Sequence, residues 1–440
     1  MRPFHIITYG CQMNVHDSEG LSGLLRAEGY PPAESEEEAR IVLLNTCAVR
    51  ARPERKVVAK LGALATRRRG GTLDVLGICG CMAQEHGAAL LSEYPQLDFV
   101  CGTGNLSAVP GLVRSALEGD RRAVLDMAGD IDRDIPRAHG SRFRAYVDII
   151  YGCTNFCTYC IVPRVRGPER SRPMAEVLDE VRRLADAGWV EVTLLGQNVN
   201  AYGKDLGPTA PRFPDLLEAV DAVEGLRRVR FTTSHPRDCD EVLLRAMAGL
   251  ESVCEHLHLP VQAGDDDILR RMNRGYTYKE YLDIALRARE IMPTLSLTTD
   301  VIVGFPGETR PMFEQTLRLF EEVRFDSAFS FIYVPRPGAA AAAMADPTPR
   351  SEKVAWLNEL AGRQKEISRE RNQEMVGQVV EVLVDGLSEG DPGNLAGRTR
   401  TNKLVVFPAD GSVREGDLVP VRTTKAKLWG FEGVLSSGNA

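Results

Sequence analysis

The segment "YGCTNFCTYC", residues 151–160, places Cys153, Cys157 and Cys160 within eight residues. It follows the apolar run "AYVDII", which predicts a buried strand, so the three cysteines occupy the turn directly after that strand. A structural zinc site is normally closed by four ligands in two separated pairs, and the sequence contains no second pair of that kind. Three soft thiolates with one position left open favour an iron–sulfur cluster in which one iron binds something other than protein. We call these cysteines the loop triad.

Length and composition predict a globular protein of two or three domains, with 440 residues, 43% of them hydrophobic and 26% charged. No apolar run approaches the roughly 18 residues of a membrane span, and the N-terminus has no secretion signal. We therefore expect a cytoplasmic protein without membrane contact. Ten cysteines in such a protein indicate reduced thiols rather than a disulfide framework. The net charge of −7 gives no global sign of nucleic-acid binding, so any such surface must be local.

Three regions follow one another along the chain. Residues 1–118 alternate nearly continuous apolar runs with helical patterns, which predicts a small doubly wound α/β domain. After a polar linker at 119–141, residues 139–371 predict an open, partial (β/α)6 barrel with its chemistry at the C-terminal rim. Its six predicted strands are "AYVDIIYG", "VEVTLLGQN", "RRVRFTTSH", "EHLHLPVQ", "SLTTDVIVGF" and "DSAFSFIYV". Residues 372–440 contain short β runs between Gly and Asp turns, which predicts a small antiparallel β-barrel.

A second set of cysteines lies in the first region. Cys11, Cys47 and Cys81 each follow a predicted parallel strand, so they meet at one edge of the sheet. This edge triad predicts a second three-thiolate cluster with a free iron. Cys101 and Cys79 are possible further ligands by position, with buried packing as the alternative, and we expect Cys239 and Cys254 to be structural.

The motifs "TYGCQMNVHDSE", "NTCAVR" and "GCMAQ", with the CxxxCxxC segment and the terminal β module, resemble the radical S-adenosylmethionine (SAM) methylthiotransferases along nearly the whole chain. "YGCTNFCTYCIVPRVRGPERSRP", "LLGQNVNAYG", "HLPVQAGDDDILRRMNRGYT" and "DVIVGFPGET" are most similar to members that convert N6-isopentenyladenosine at position 37 of tRNA to its 2-methylthio form. The resemblance implies two 4Fe-4S clusters, one on each triad. It also implies SAM and substrate contacts, but no assigned catalytic residue, at the following positions: Gly196, Gln197, Asn198, Thr233, Ser234 and Gln262.

The same resemblance implies how the two clusters divide the reaction and what the partners are. One SAM methylates a sulfur carried by the auxiliary cluster, and a second is cleaved to a radical that activates C2 of adenine, a position that ordinary acid–base chemistry cannot reach. The implied partners are the anticodon stem-loop of tRNA and an electron donor such as flavodoxin or ferredoxin.

The terminal module resembles the TRAM domain, an RNA-binding β-barrel. Its local basic strips agree with that resemblance, because phosphate contacts need only a cationic strip. We predict RNA contacts at Arg398, Arg400 and Lys403, with a second strip at Arg422, Lys425 and Lys427. Beside the loop triad we predict further RNA contacts at Arg164 and Arg166.

Two positions depart from the family pattern, since Ala263 and Ala339 stand where we expect hydroxyl side chains in "VQSG" and "RPGT". Sister activities share both cluster motifs, and their targets are threonylcarbamoyladenosine in tRNA or an aspartate of a ribosomal protein. A non-catalytic iron–sulfur RNA-binding protein and a zinc scaffold are the alternatives from other classes.

Overall fold

The computed structural model describes residues 2–48, 51–127 and 135–436, without the side chains of 51–53. The chain forms two compact units. The first comprises Met1–Ser141, Tyr151–Phe156 and Cys160–Arg170, and the second comprises Arg142–Ile150, Cys157–Tyr159 and Ser171–Ala440. Some predicted features lie outside the described residues: positions 49–50 of "NTCAVR", 128–134 of the linker, and 437–440 of the terminal module.

The first unit is built on a five-stranded parallel sheet whose strands run in chain order. Its strands are β1 (Phe4–Thr8), β2 (Ile41–Thr46), β3 (Val75–Gly80), β4 (Phe99–Cys101) and β5 (Arg122–Val124). Its helices are α1 (Gln12–Ala27), α2 (Ala51–Arg69), α3 (Cys81–His86), α4 (Ala89–Glu93), α5 (Val109–Leu117) and α6 (Val162–Arg166). The register aligns Thr8, Asn45, Cys79 and Cys101 in one row across β1 to β4. Beyond this row the chain leaves the sheet at a common edge.

Both faces of this sheet are covered, which explains the continuous apolar strands. On one face Leu21 and Leu25 of α1 pack with Val113 of α5, and on the other Leu61 of α2 packs with Met82 of α3. Every residue of β2 and β3 is buried. The predicted α/β class with parallel strands is confirmed, while β5 lies inside the segment predicted as a linker.

The second unit contains the six predicted barrel strands. The strands from here to the end of the barrel are β6 (Arg144–Asp148), β7 (Ile150–Tyr151), β8 (Arg170–Ser171), β9 (Glu191–Leu195), β10 (Arg228–Thr232), β11 (His256–His258), β12 (Ser296–Val303) and β13 (Ser327–Ile332). The helices are α7 (Met174–Asp186), α8 (Phe213–Asp221), α9 (Glu241–Gly249), α10 (Asp266–Arg271), α11 (Tyr278–Ile291), α12 (Arg310–Val323) and α13 (Arg350–Gln373). Two three-stranded parallel sheets, β10-β9-β6 and β11-β12-β13, share one apolar core, which confirms the partial (β/α)6 barrel.

The C-terminal strands close into a five-stranded barrel, which confirms the predicted terminal β module, although one of its strand pairs is parallel and not antiparallel as predicted. They are β14 (Val379–Ser388), β15 (Asp391–Thr399), β16 (Leu404–Pro408), β17 (Leu418–Lys427) and β18 (Gly430–Leu435). β15 and β18 were not predicted, because Gly, Pro, Asp and Asn interrupt the apolar pattern in β15 and Gly interrupts it in β18.

Two buried arginines of β10 join this terminal barrel to the partial (β/α)6 barrel. Arg228 is fully buried and donates to Glu381 Oε1 (2.8 Å), Glu381 O (3.0 Å) and Arg398 O (2.8 Å). Arg230 donates to the carbonyl oxygens of Arg400 (2.8 Å) and Thr399 (2.7 Å). The two barrels are therefore joined by buried, charged hydrogen bonds. Across the described residues, no helix is long and apolar enough to cross a bilayer.

Candidate metal centres

The edge triad lies where the sequence places it, at the carboxyl edge of the first sheet. Cys11 is the residue before α1, Cys47 follows β2, and Cys81 is the first residue of α3. A Cβ built on Gly10, which has φ +131°, would lie 2.6 Å from the Cβ of Cys47, so this glycine allows the first two cysteines to approach. None of the three cysteines is in a disulfide, and burial raises the pKa of the Cys81 thiol.

A buried amide network holds Cys11 against the end of β2. Asn14 Nδ2 donates to Asn45 Oδ1 and to Thr46 O, both at 3.1 Å. Asn14 Oδ1 accepts from Cys11 Sγ at 3.4 Å, and Asn45 Nδ2 donates to Asn14 O at 2.8 Å. This network ties the first cysteine to the strand that carries the second, and sequence analysis did not identify it, although Asn14 stands inside the motif "TYGCQMN".

The cysteines of the loop triad are likewise outside any disulfide. In the first unit, Cys153 N donates to Gly167 O (3.1 Å), and Val162 N donates to Cys160 Sγ (3.5 Å). In the second unit, Cys157 Sγ accepts from Arg274 Nη1 at 3.3 Å. Each cysteine is thus fixed by a contact of its own, and Arg274 is a second residue that sequence analysis missed.

The residues with implied SAM contacts lie after the ends of β9, β10 and β11. Gly196 packs so closely on Ile150 that a Cβ would clash with it. Asn198 is buried and donates to Asp238 Oδ2 (2.8 Å), Gln197 and Thr233 are half-buried, and Gln262 has φ +73° with its backbone bonded to Asp300 and Ile302.

Three buried polar atoms at these strand ends have no hydrogen-bond partner among the described residues: Asn198 Oδ1, Ser234 Oγ and His235 Nε2. Burial, with Arg274 and other nearby cations, lowers the pKa of His235 to about 2, so its imidazole is neutral. Unpartnered buried polar groups are costly, and a polar ligand such as an amino acid or nucleoside would satisfy them. These unpartnered groups therefore fit SAM by their chemistry. At the end of β12, burial raises the pKa of Glu308 to about 7 while its carboxylate caps Gly304 N.

The residues with predicted RNA contacts differ in their exposure. Arg164 and Arg398 are exposed. Arg166 and Lys403 are buried, and Lys403 Nζ contacts Asp326 Oδ1 (2.9 Å) and Asn372 Oδ1 (2.7 Å). Arg400 is half-buried and forms a bidentate salt bridge with Glu255 (2.8 and 2.9 Å). Whether any of them touches RNA stays a prediction.

The remaining cysteines are packed in cores. Cys79 and Cys101 are register neighbours on β3 and β4, fully buried among apolar residues, and Cys101 Sγ donates to Asn105 O at 3.2 Å. Cys239 and Cys254 are likewise buried. Ala263 and Ala339, the two departures from the family pattern, are also buried.

Within the described residues, one group of potential ligand atoms has the spacing of a single metal ion: Glu54, Glu85 and His86. The cysteine triads do not have this spacing. Because three thiolates of a four-iron cluster bind three different irons, they need not surround one ion.

Comparison with protein families assigns all three regions of the chain. Residues 147–320 match the radical SAM superfamily, residues 3–102 match uncharacterized protein family UPF0004, and residues 373–435 match the TRAM domain. A solved structure of the radical SAM methyltransferase TsrM from Kitasatospora setae is similar in fold (TM-score 0.57, 14% identity), covering 78% of this chain and 74% of that one. The fold and the central region of the chain therefore match those of radical SAM proteins.

Full-length relatives narrow this class. The chain is 48% identical to a tRNA-2-methylthio-N(6)-dimethylallyladenosine synthase of Moorella thermoacetica, over 99% of both chains. It is equally identical to the protein of that name from Carboxydothermus hydrogenoformans, again over 99% of both. The chain belongs to this family of radical SAM methylthiotransferases, which confirms the resemblance found in the motifs.

Proposed function

We propose that this protein attaches a methylthio group to C2 of N6-isopentenyladenosine at position 37 of tRNA. The observation that carries the proposal is the position of both triads, outside any disulfide, at the edge and in the loop that the family motifs specify. When bound, a cluster on the loop triad with SAM supplies a 5'-deoxyadenosyl radical, and a cluster on the edge triad carries sulfur. The cofactors are therefore two 4Fe-4S clusters and SAM.

The chain's own residues prepare these sites. Asn14 and Asn45 orient the edge triad, because their amides bond each other and Cys11 at once. Gly196 lets the chain pass close to β7, and the unpartnered atoms of Asn198, Ser234 and His235 offer hydrogen bonds to SAM. Gln197, Thr233 and Gln262 complete the proposed pocket. Burial of these groups excludes water, which protects a radical from side reactions.

The three regions carry three tasks in this proposal. Residues 1–118 hold the auxiliary cluster, 139–371 form the radical SAM core and 372–440 bind RNA. An electron donor of the flavodoxin or ferredoxin type reduces the core, and the reaction takes place in the cytoplasm.

For RNA contact we retain Arg164, Arg398 and Arg400 as candidates and add the turn between β17 and β18. There Trp429 is 63% exposed, and it follows the exposed Lys427 by two residues and the exposed Lys425 by four. An exposed aromatic ring that follows cations in the chain is suited to stack on an unpaired base of the anticodon loop.

Nucleoside mass spectrometry of tRNA tests the proposal. Cells that lack this protein should accumulate N6-isopentenyladenosine and lose its 2-methylthio form, and the wild-type gene should restore it. A gene in which Cys11, Cys47 and Cys81 are replaced by Ala should not restore it, yet that protein should still cleave SAM. Loss of methylthio-threonylcarbamoyladenosine instead, or of a modified ribosomal-protein aspartate, would assign a sister activity.

A further inference from the structure

Arg166 is a buried cation in the first unit. The residue is 3% exposed, its Nη2 donates to Asp17 Oδ2 at 2.8 Å, and its guanidinium carbon lies 5.1 Å from the centre of the Tyr151 ring. Its Nη1 has no hydrogen-bond partner among the described residues. Leaving a charged donor unpaired in the interior is costly, so the geometry indicates that something else accepts from Nη1.

The surroundings of Arg166 indicate that this acceptor belongs to the edge triad. Val165 and Ile161, on the same short segment, pack against Cys81 and Ala48 at the edge of the sheet. The guanidinium of Arg166 also interacts electrostatically with the side chains of Cys81 and Cys11. The unpaired nitrogen therefore belongs to a guanidinium beside the edge triad.

Arg274 has the corresponding position in the second unit. The residue is 4% exposed and donates through Nη1 to Cys157 Sγ (3.3 Å) and Tyr159 Oη (3.2 Å). Its other nitrogens donate to Pro260 O (2.7 Å) and Tyr276 Oη (2.8 Å), and no carboxylate pairs with it in the described structure. A buried arginine without a carboxylate partner leaves a net positive charge at the loop triad.

We propose that Arg166 and Arg274 are positioning residues, each of which donates to the sulfur atoms of one cluster and makes that cluster easier to reduce. This inference rests on the proposed function, since it requires a cluster on each triad. Hydrogen bonds to sulfur and nearby charge set the potentials of iron–sulfur clusters, and a cation stabilises the more negative, reduced state. One electron enters the cluster, and no bond is made or broken.

The test measures midpoint potentials by EPR-monitored titration with dithionite in full-length, anaerobically reconstituted protein. Replacing the loop triad by Ala isolates the edge cluster, and replacing the edge triad isolates the loop cluster. In the first background, Arg166→Gln should lower the potential by at least a tenfold change in the reduction equilibrium, about 59 mV for one electron. Arg274→Gln should do the same in the second background.

Crossed and conservative variants separate this role from a structural one. Arg274→Gln should leave the edge cluster unchanged, and Arg166→Gln the loop cluster. Arg166→Lys and Arg274→Lys keep the charge and should recover most of the potential. Asp17→Asn, which removes the counter-charge of Arg166, should raise the edge potential. Tyr159→Phe should raise the loop potential, because Arg274 Nη1 then donates to Cys157 alone.

Full iron content with unmoved potentials in both Gln variants would overturn the inference. If a Gln variant loses its iron, Asp17→Asn tests the role of Arg166 and Tyr159→Phe tests the role of Arg274. A midpoint potential that does not rise in these variants would also overturn the inference. A parent protein that binds no iron in either triad would overturn the proposed function as well, so the two failures are distinguishable.

Discussion

Lys403 and Lys425 both belong to the terminal basic strips, but the structure gives them opposite surroundings. Lys403 is 9% exposed, with its Nζ on Asp326 and Asn372, whereas Lys425 is 67% exposed along its side chain and 3.9 Å from Glu432. We therefore predict that Lys403→Met lowers the free energy of unfolding and leaves tRNA binding little changed. Lys425→Met should do the reverse.

The magnitude for Lys403→Met follows from the partners that remain. Asp326 still accepts from Arg289 Nη2 (3.1 Å) and Leu297 N (3.0 Å), so its carboxylate retains hydrogen-bond donors in the variant. Asn372 Oδ1 loses its donor, and the charged hydrogen bonds of Lys403 Nζ are lost. Methionine retains the apolar contacts of the aliphatic part of the lysine side chain. Together these losses amount to about 2–4 kcal/mol. Lys425→Met removes only an exposed pair, which costs about 0–1 kcal/mol.

Urea denaturation measures the first effect without adding salt, and tRNA binding across a range of KCl concentrations measures the second. Lys425→Met should reduce the slope of log affinity against log salt by about 0.7–0.9, as one phosphate contact is lost. Lys403→Met should leave that slope unchanged. A Lys403→Met protein with wild-type stability and a smaller salt slope would refute the assignment of its charge to the interior.

Three further predictions follow from the sites. Anaerobically reconstituted protein should hold about eight irons, and Ala substitution of the whole loop triad should leave about four, so a variant that retained all eight would contradict two clusters. The pKa of Glu308 is raised by burial to about 7 in the folded state, so its contribution to stability is present at pH 4 and is lost as pH rises to 7. The unfolding free energy of wild type relative to Glu308→Gln should fall by up to about 3 kcal/mol across that range in urea titrations, and a flat difference would refute this. The pKa of His235 is lowered to about 2, so its contribution is present above pH 6.5 and is lost as pH falls. Wild type should therefore lose stability relative to His235→Gln between pH 6.5 and 4, and the opposite slope in the same titrations would contradict burial of a neutral imidazole.

Sequence analysis found the features that local pattern and chain order determine. Apolar runs give the strands, and parallel strands bring the residues that follow them to one edge, so Cys11, Cys47 and Cys81 were expected to converge. The sequence pattern did not show which charged side chains are buried in the folded protein. Arg166 and Lys403 were predicted to contact RNA because they stand in basic strips, yet tertiary packing surrounds both with protein. Arg274 gave no signal, since one arginine in "MNRGYT" looks like any surface cation until the fold places it on Cys157.

The arginines of β10 have a consequence for dissecting this protein. A fragment that stops at residue 371 would keep Arg228 and Arg230 on its third barrel strand but lose Glu381 and the carbonyl oxygens of residues 398–400 that receive them. Two guanidinium groups would then have to be hydrated or neutralised on a surface shaped for another domain, and Asp326 would lose Lys403. The TRAM match begins at residue 373, but buried hydrogen bonds cross that boundary, so fragments divided there should aggregate or unfold.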